Sequence, residues 1–170
     1  MPPSVQTYRR GREDVNALGA TRGLSRPTGR ISKGGILQTA TNAPHNDLGW
    51  ELYPKGLYHL CRRYYQRFKQ PIFILENGTC DQRDAFRARY IYDHLAQIRR
   101  LIDDGIDIQR YYHWTLMDNF EWAEGLKARF GLIAVDYANQ QRTVRPSGRF
   151  YADICRQRGI TEAMITKHFD

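Results

Sequence analysis

Glu76 ends a short apolar run, Ile72-Phe73-Ile74-Leu75, that Pro71 opens and Asn77-Gly78 closes. A run of that length bounded by turn residues reads as a buried strand. A carboxylate at its end is costly beside apolar side chains unless it has a partner or a reaction to perform. Capping of the next loop and catalysis are both open readings for Glu76 taken alone. A second segment, Trp114-Thr115-Leu116-Met117-Asp118-Asn119-Phe120-Glu121-Trp122-Ala123-Glu124, sets two Trp, one Phe and three acids in eleven positions. Sugars present C–H faces that stack on aromatic rings and hydroxyls that bond carboxylates. The mixture therefore suits a carbohydrate site; the plainer alternative is core aromatics beside solvated acids.

The elements that would carry these groups follow from periodicity. Leu57, Leu60, Cys61, Tyr64 and Phe68 recur at helical spacing behind Pro54, a good first-turn residue, and Pro71 stops that helix. Asp84 reads as the cap of a second helix with Phe86, Tyr90, Ile91, Leu95, Ile98 and Ile102 on its apolar face, ended by Asp104-Gly105. Ile108 to Leu116 is rich in β-branched and aromatic residues and reads as a second strand. Arg129 to Tyr137 alternates in part, as a short extension or hairpin does. Pro146-Ser147 opens a third helix with Phe150, Tyr151 and Ile154 inward, and a last short helix from Thr161 carries Met164, Ile165 and Phe169. Strands alternating with helices imply an α/β fold with parallel pairing. Two such strands cannot cover their own faces, so they belong to a larger sheet or barrel.

Composition narrows the class. The 170 residues are 41% hydrophobic and 26% charged, as in a globular protein, and no apolar run reaches membrane-spanning length. Met1-Pro2-Pro3-Ser4 has no apolar stretch behind it, which argues against a secretory leader. Three cysteines without metal-ligand spacing read as reduced thiols, so a cytoplasmic location is expected, with no metal. The net charge of +8 is front-loaded: Arg9, Arg10, Arg12, Arg22, Arg26, Arg30 and Lys33 face only Glu13 and Asp14. A solvated surface with a basic tail accounts for it better than a nucleic-acid partner, for which no motif is present. Residues 1–46 are rich in Gly, Ser, Thr, Arg and Pro and read as an irregular basic segment, disordered or lacking its usual neighbours. The structured part is expected from 47 to 170.

Several long motifs, in order, resemble those of glycoside hydrolase family 1. Ile74-Leu75-Glu76-Asn77-Gly78 is similar to the family's Ile-Thr-Glu-Asn-Gly nucleophile motif. The run Trp114 to Glu124, then Arg129-Phe130-Gly131-Leu132 and Val135-Asp136-Tyr137, resembles its long signature near the C-terminus. Gly49-Trp50-Glu51, Tyr53-Pro54-Lys55-Gly56-Leu57 and Arg142-Thr143-Val144-Arg145-Pro146-Ser147 resemble flanking segments, and the likeness covers Asp47 to Tyr151. The resemblance implies the C-terminal portion of a (β/α)₈ barrel, with these strands as its seventh and eighth. It implies a retaining β-glycosidase, β-glucosidase-like, with Glu76 as the nucleophile that forms a covalent glycosyl–enzyme. Trp114 would be the platform under the sugar, Glu121 and Trp122 would bond its outer hydroxyls, and Phe130 would line the same pocket. The implied partner is an unphosphorylated β-glycoside, with no cofactor, nucleic acid or membrane.

The family's acid/base comes from an Asn-Glu-Pro motif on the fourth strand, and this chain contains no Asn-Glu-Pro. The expected object is therefore a piece of the enzyme, inactive alone, or a truncated non-catalytic remnant. Other departures are Leu75 for the usual Thr, Arg110 for a usual Gly, His113 at a small or apolar position and Leu126 at an aromatic one. His113 alternates with Tyr112 and Trp114 and is expected to face the helices as a satisfied structural histidine. Glu124 has no assigned role.

Overall fold

The computed structural model describes residues 43–169. The irregular segment expected before Asp47 thus lies mostly outside the described residues. Its last part joins the folded body: His45 bridges to Glu51, and the buried Asn46 side chain accepts the amides of Leu48 and Trp50 at 3.0 and 2.9 Å.

Helix α1 spans Pro54–Phe68, with Pro54 in its first turn, where a missing N–H costs nothing. It ends through Lys69 in the left-handed conformation, whose N–H reaches the Tyr65 carbonyl at 2.9 Å. Strand β1 covers Ile72–Asn77, helix α2 Arg87–Asp103 and strand β2 Ile108–His113. The two strands pair in parallel through the α2 crossover, as the sequence pattern implied. Leu57, Tyr58 and Cys61 of α1, Ile72 and Ile74 of β1, and Ile98 and Leu101 of α2 close over Ile106 as one core.

Beyond β2 the chain bends at Trp114 and again at Leu116, so β2 stops at His113, short of the expected Leu116. The segment is held by residues 130–133 instead: Thr115 N–H meets the Phe130 carbonyl at 3.3 Å, Leu132 N–H the Thr115 carbonyl at 2.9 Å and Ile133 N–H the Leu116 carbonyl at 2.9 Å. A single turn of 3₁₀ helix covers Trp122–Glu124. Strands β3 (Ile133–Val135) and β4 (Arg142–Val144) form an antiparallel hairpin, narrower than the expected Arg129–Tyr137 extension and paired with residues further on. Helix α3 (Pro146–Gln157) and helix α4 (Glu162–Phe169) cover the other flank of α2. There Ile91, Leu132, Phe150 and Met164 form a second core, with Phe169 against it.

The expected cap of α2 is corrected. Asp81 takes the amides of Ala85, Phe86 and Arg87 at 3.0, 2.9 and 2.8 Å, the donors that a helix start leaves without partners. Asp84 serves a different helix: it accepts the Ser147 amide and hydroxyl at 2.8 and 2.5 Å in the first turn of α3 and pairs with Arg87. Asp84, at a positive φ of 58°, meets α2 only through the Arg87 side chain and takes none of its first amides. Ile102 is also largely exposed, Leu101 taking the inward place. Among the described residues no helix is long and apolar enough to cross a membrane.

Candidate active site

Glu76 lies in an irregularity of the β1–β2 ladder. Ile74 stands opposite Tyr111 and Asn77 opposite His113, so β1 advances three residues while β2 advances two. That is the geometry of a bulge, which re-aims side chains at functional strand ends. Its consequence is visible in the burial. Ile72 and Ile74 point into the core shared with α1 and α2, and strict alternation would send Glu76 the same way. With the extra residue, buried Asn77 takes that place, and Glu76, half-buried, is released from the apolar face.

The loops after β1 and β2 abut. Trp114 N–H donates to the Asn77 carbonyl at 3.0 Å. A Cβ on Gly78 would stand 1.7 Å from the Trp114 carbonyl oxygen, so only glycine permits this approach. Across from it the Trp114 indole Nε1–H donates to the Glu121 carboxylate at 3.3 Å. Burial raises the Glu121 pKa; the indole hydrogen bond opposes this, while the negative charges of Glu76 and Glu124 push it further up. Glu76, Trp114 and Glu121 are thus brought within electrostatic reach of one another.

Phe130 is buried, in a cluster with Cys80 and Ala128 against which Trp50 and Trp114 pack. Its ring centroid is 5.9 Å from that of Trp50. Trp122 is 78% exposed beside Glu121, on a turn closed by Glu121 N–H to the Gly125 carbonyl at 2.8 Å.

Sequence reasoning gave no role to the groups that hold this arrangement. Asp118, buried, accepts both Arg145 guanidinium nitrogens at 2.9 Å, the Gly131 amide at 2.9 Å, and Arg129 and the Val135 amide at 3.3 Å. Burial alone would raise its pKa; the Arg145 charge and these amides prevail and lower it. A Cβ on Gly131 would meet the Asp118 amide nitrogen at 2.3 Å, which explains a glycine there. The signal was present, since Asp118 and Arg145 both lie inside the quoted motifs, but nothing local ties two residues so far apart. His113 also departs from expectation. It does face the helices, its ring 5.9 Å from that of Tyr151, yet neither buried ring nitrogen has a hydrogen-bond partner.

An open polar cavity of about 400 Å³, lined by Asp118, Arg129, Asp136, Thr143 and Arg145 among others, includes none of Glu76, Trp114 and Glu121. Two aspartates balance its two arginines, so it is no anion site. Among the described residues no group of His, Cys, Asp and Glu is placed to hold a metal ion.

A parallel βαβ unit with a carboxylate and an indole at adjacent strand ends is the construction of a β/α-barrel enzyme that works at its C-terminal rim. The family model for glycosyl hydrolase family 1 matches residues 20–160, and the chain belongs to that family. It is 41% identical over 123 residues to a β-galactosidase of Sulfolobus acidocaldarius, covering 72% of this chain and 25% of that one. The β-glycosidase of Thermosphaera aggregans superposes with a TM-score of 0.70 at 38% identity, over 72% of this chain and 25% of its own. A β-glycosidase from Pyrococcus horikoshii gives 0.72 at 34% identity, over 78% and 31%. The chain thus spans about a quarter of the length of the relatives it matches, and its strands are part of their barrel architecture.

Proposed function

We propose that this chain supplies the nucleophile quarter of a retaining β-glycosidase, with β1 and β2 as the seventh and eighth barrel strands. The observation that carries the reading is the hydrogen bond of Trp114, directly after β2, to Glu121, with Glu76 on the adjacent β1 within electrostatic reach of Glu121. In the reaction a Glu76 carboxylate oxygen attacks the anomeric carbon, and the glycosidic C–O bond breaks as the leaving oxygen takes a proton. Water then cleaves the glycosyl ester and releases the sugar with retained configuration. The acid/base for both steps belongs to the remainder of the barrel. Trp114 is the platform under the ring, Glu121 and Trp122 bond the outer hydroxyls, and Phe130 lines the same pocket. The chain by itself holds half of such a site, which also fits a truncated, non-catalytic remnant.

The test is a completed enzyme, in which the upstream barrel segment of a family 1 β-glucosidase is joined to this chain. A 2-deoxy-2-fluoro-glycoside inactivator is expected to label Glu76, and Glu76→Gln to lower turnover on the order of 10⁴-fold or more. A label on Glu121 or Glu124 would refute the assignment. Absence of turnover in a folded, completed protein would favour the remnant.

The substrates are unphosphorylated glycosides. Burial already raises the Glu121 pKa and the negative charge of Glu76 adds to it, and a phosphate dianion on the sugar's outer edge would add further repulsion at reduced dielectric. The completed enzyme should hydrolyse aryl β-glucosides and leave 6-phosphoglucosides intact; the reverse preference would defeat this reading.

A further inference from the structure

The bulge that frees Glu76 is held from behind. Asn77 is 2% exposed, and its carboxamide sits between two tyrosine hydroxyls. Asn77 Nδ2 donates to the Tyr90 hydroxyl at 3.1 Å, and the Tyr111 hydroxyl donates to Asn77 Oδ1 at 2.9 Å. Tyr90 belongs to α2 and Tyr111 to β2, so the clamp joins the helix layer and both strands at the one residue that closes the bulge. The Asn77 carbonyl in turn receives Trp114 N–H. One residue thus ties the direction of Glu76, its chain neighbour, through its carboxamide, and the start of the segment that carries the sugar platform through its backbone carbonyl.

We propose that Tyr90 and Tyr111 are positioning residues for the nucleophile: by clamping Asn77 on the core face, they lock the bulge that aims Glu76 into the site. The inference rests on the assignment of Glu76 under the proposed function. Slippage of the bulge by one residue would return Glu76 to the face of Ile72 and Ile74 and set Asn77 outward. The clamp is chemically matched to this task. A hydroxyl can donate or accept, so the two tyrosines satisfy the carboxamide on both its amino and its oxygen side, and a slipped register breaks both bonds. Burial raises the Tyr111 pKa well above its ordinary value, which keeps its hydroxyl protonated and donating at any pH where a glycosidase works.

The experiment uses the full chain completed with the upstream barrel segment of a family 1 β-glucosidase. kcat, KM and melting temperature are measured for Tyr90→Phe, Tyr111→Phe, the double Phe variant, and each Phe change in an Asn77→Ala background. Phe keeps the ring packing and removes only the clamp. Each single Phe variant, still folded, is expected to lose about tenfold in kcat with KM nearly unchanged, since small misplacement of a reacting group is costly. In Asn77→Ala the Phe changes are expected to cost nothing further, because the clamped group is already gone. Wild-type kcat in the folded Phe variants, a rise in KM alone, or losses that multiply with that of Asn77→Ala would overturn the proposal. If Asn77→Ala does not fold, the double Phe variant decides: a loss smaller than the product of the singles supports the clamp, and wild-type kcat overturns it. Absence of turnover in the completed wild type would remove the hydrolase reading and this proposal together, whereas turnover with unaffected variants would remove the positioning role only.

Discussion

Asp118 is the single side chain on which most of the site's support converges, through five hydrogen bonds to Arg129, Arg145, Gly131 and Val135. Asp118→Asn keeps the size but leaves two guanidinium groups facing a neutral amide. Breaking a buried pair from one side costs roughly 3–5 kcal/mol, because the remaining charge stays desolvated. Denaturant unfolding of the completed enzyme should register a loss on the order of 3 kcal/mol, and an unchanged midpoint would show that the arginines find other partners. At the same scale, Gly78→Ala should abolish the contact between the loops after β1 and β2, since its methyl group would occupy the place of the Trp114 carbonyl. The expected readout is loss of Glu76-dependent turnover, beyond what the intrinsic glycine-to-alanine preference would give.

Helix α2 links two of the cores among the described residues, through Ile98 and Leu101 on one side and Ile91 on the other, and it carries a pH response. His94 on α2 is buried, and its Nδ1 lies 2.8 Å from the Tyr90 carbonyl, which can only accept, so the proton sits on Nδ1 of a neutral ring. Burial lowers its pKa from 6.5 to about 4, and the Tyr90 hydrogen bond offsets only part of that. Burial, with the Arg87 and His94 charges, lowers that of His113 on β2 to about 3. Both groups bind a proton more readily unfolded than folded, so stability is complete above the unfolded pKa and falls as pH drops below about 6.5 toward 4 and 3. The His94 contribution alone is on the order of 3 kcal/mol across that window. The Asp118 pKa is lowered as well, but its contribution is lost only below the ordinary carboxylate value of 3.8. Unfolding of His94→Phe and His113→Phe variants between pH 6.5 and 4 should therefore show a flatter dependence than wild type, with the acid limb below 4 retained. Equal slopes in variant and wild type would mean that the rings are hydrated in solution.

Taken whole, the described residues contain a two-stranded parallel sheet and a two-stranded antiparallel hairpin. Each of β1 and β2 is paired on one side only, and Leu75, Tyr112, Leu116, Phe120 and Trp122 are exposed. An open pair of parallel strands with bare apolar side chains invites association. The 170-residue chain expressed alone is expected to bind a hydrophobic dye, to self-associate and to melt broadly. It should show no aryl β-glucoside hydrolysis, since absence of the general acid alone forfeits about 10²–10⁴ in rate. A monomer with a sharp melt and Glu76-dependent turnover would mean that these strands complete a site without the remainder of a barrel.

What the sequence determined by itself was local. Pro54 and Pro71 bracketed α1, the run Ile72–Leu75 announced β1 with Glu76 at its end, and the 3.6-residue spacing of Tyr90, Ile91, Leu95 and Ile98 announced α2. These signals are legible because backbone sterics and burial periodicity act over a few residues. The tertiary structure decided which aspartate capped which helix, where β2 stopped and how Glu76 was aimed. The sequence pointed to Asp84 as the cap of α2; in the fold Asp81 takes the amides there, and Asp84 meets Ser147, which lies 63 residues further on. The bulge at Glu76 depends on a register against β2 and on the hydroxyls of Tyr90 and Tyr111, contributed by two other elements. Hydrogen bonds between residues distant in sequence cost chain entropy that only the packed whole offsets, so no window of sequence contains them.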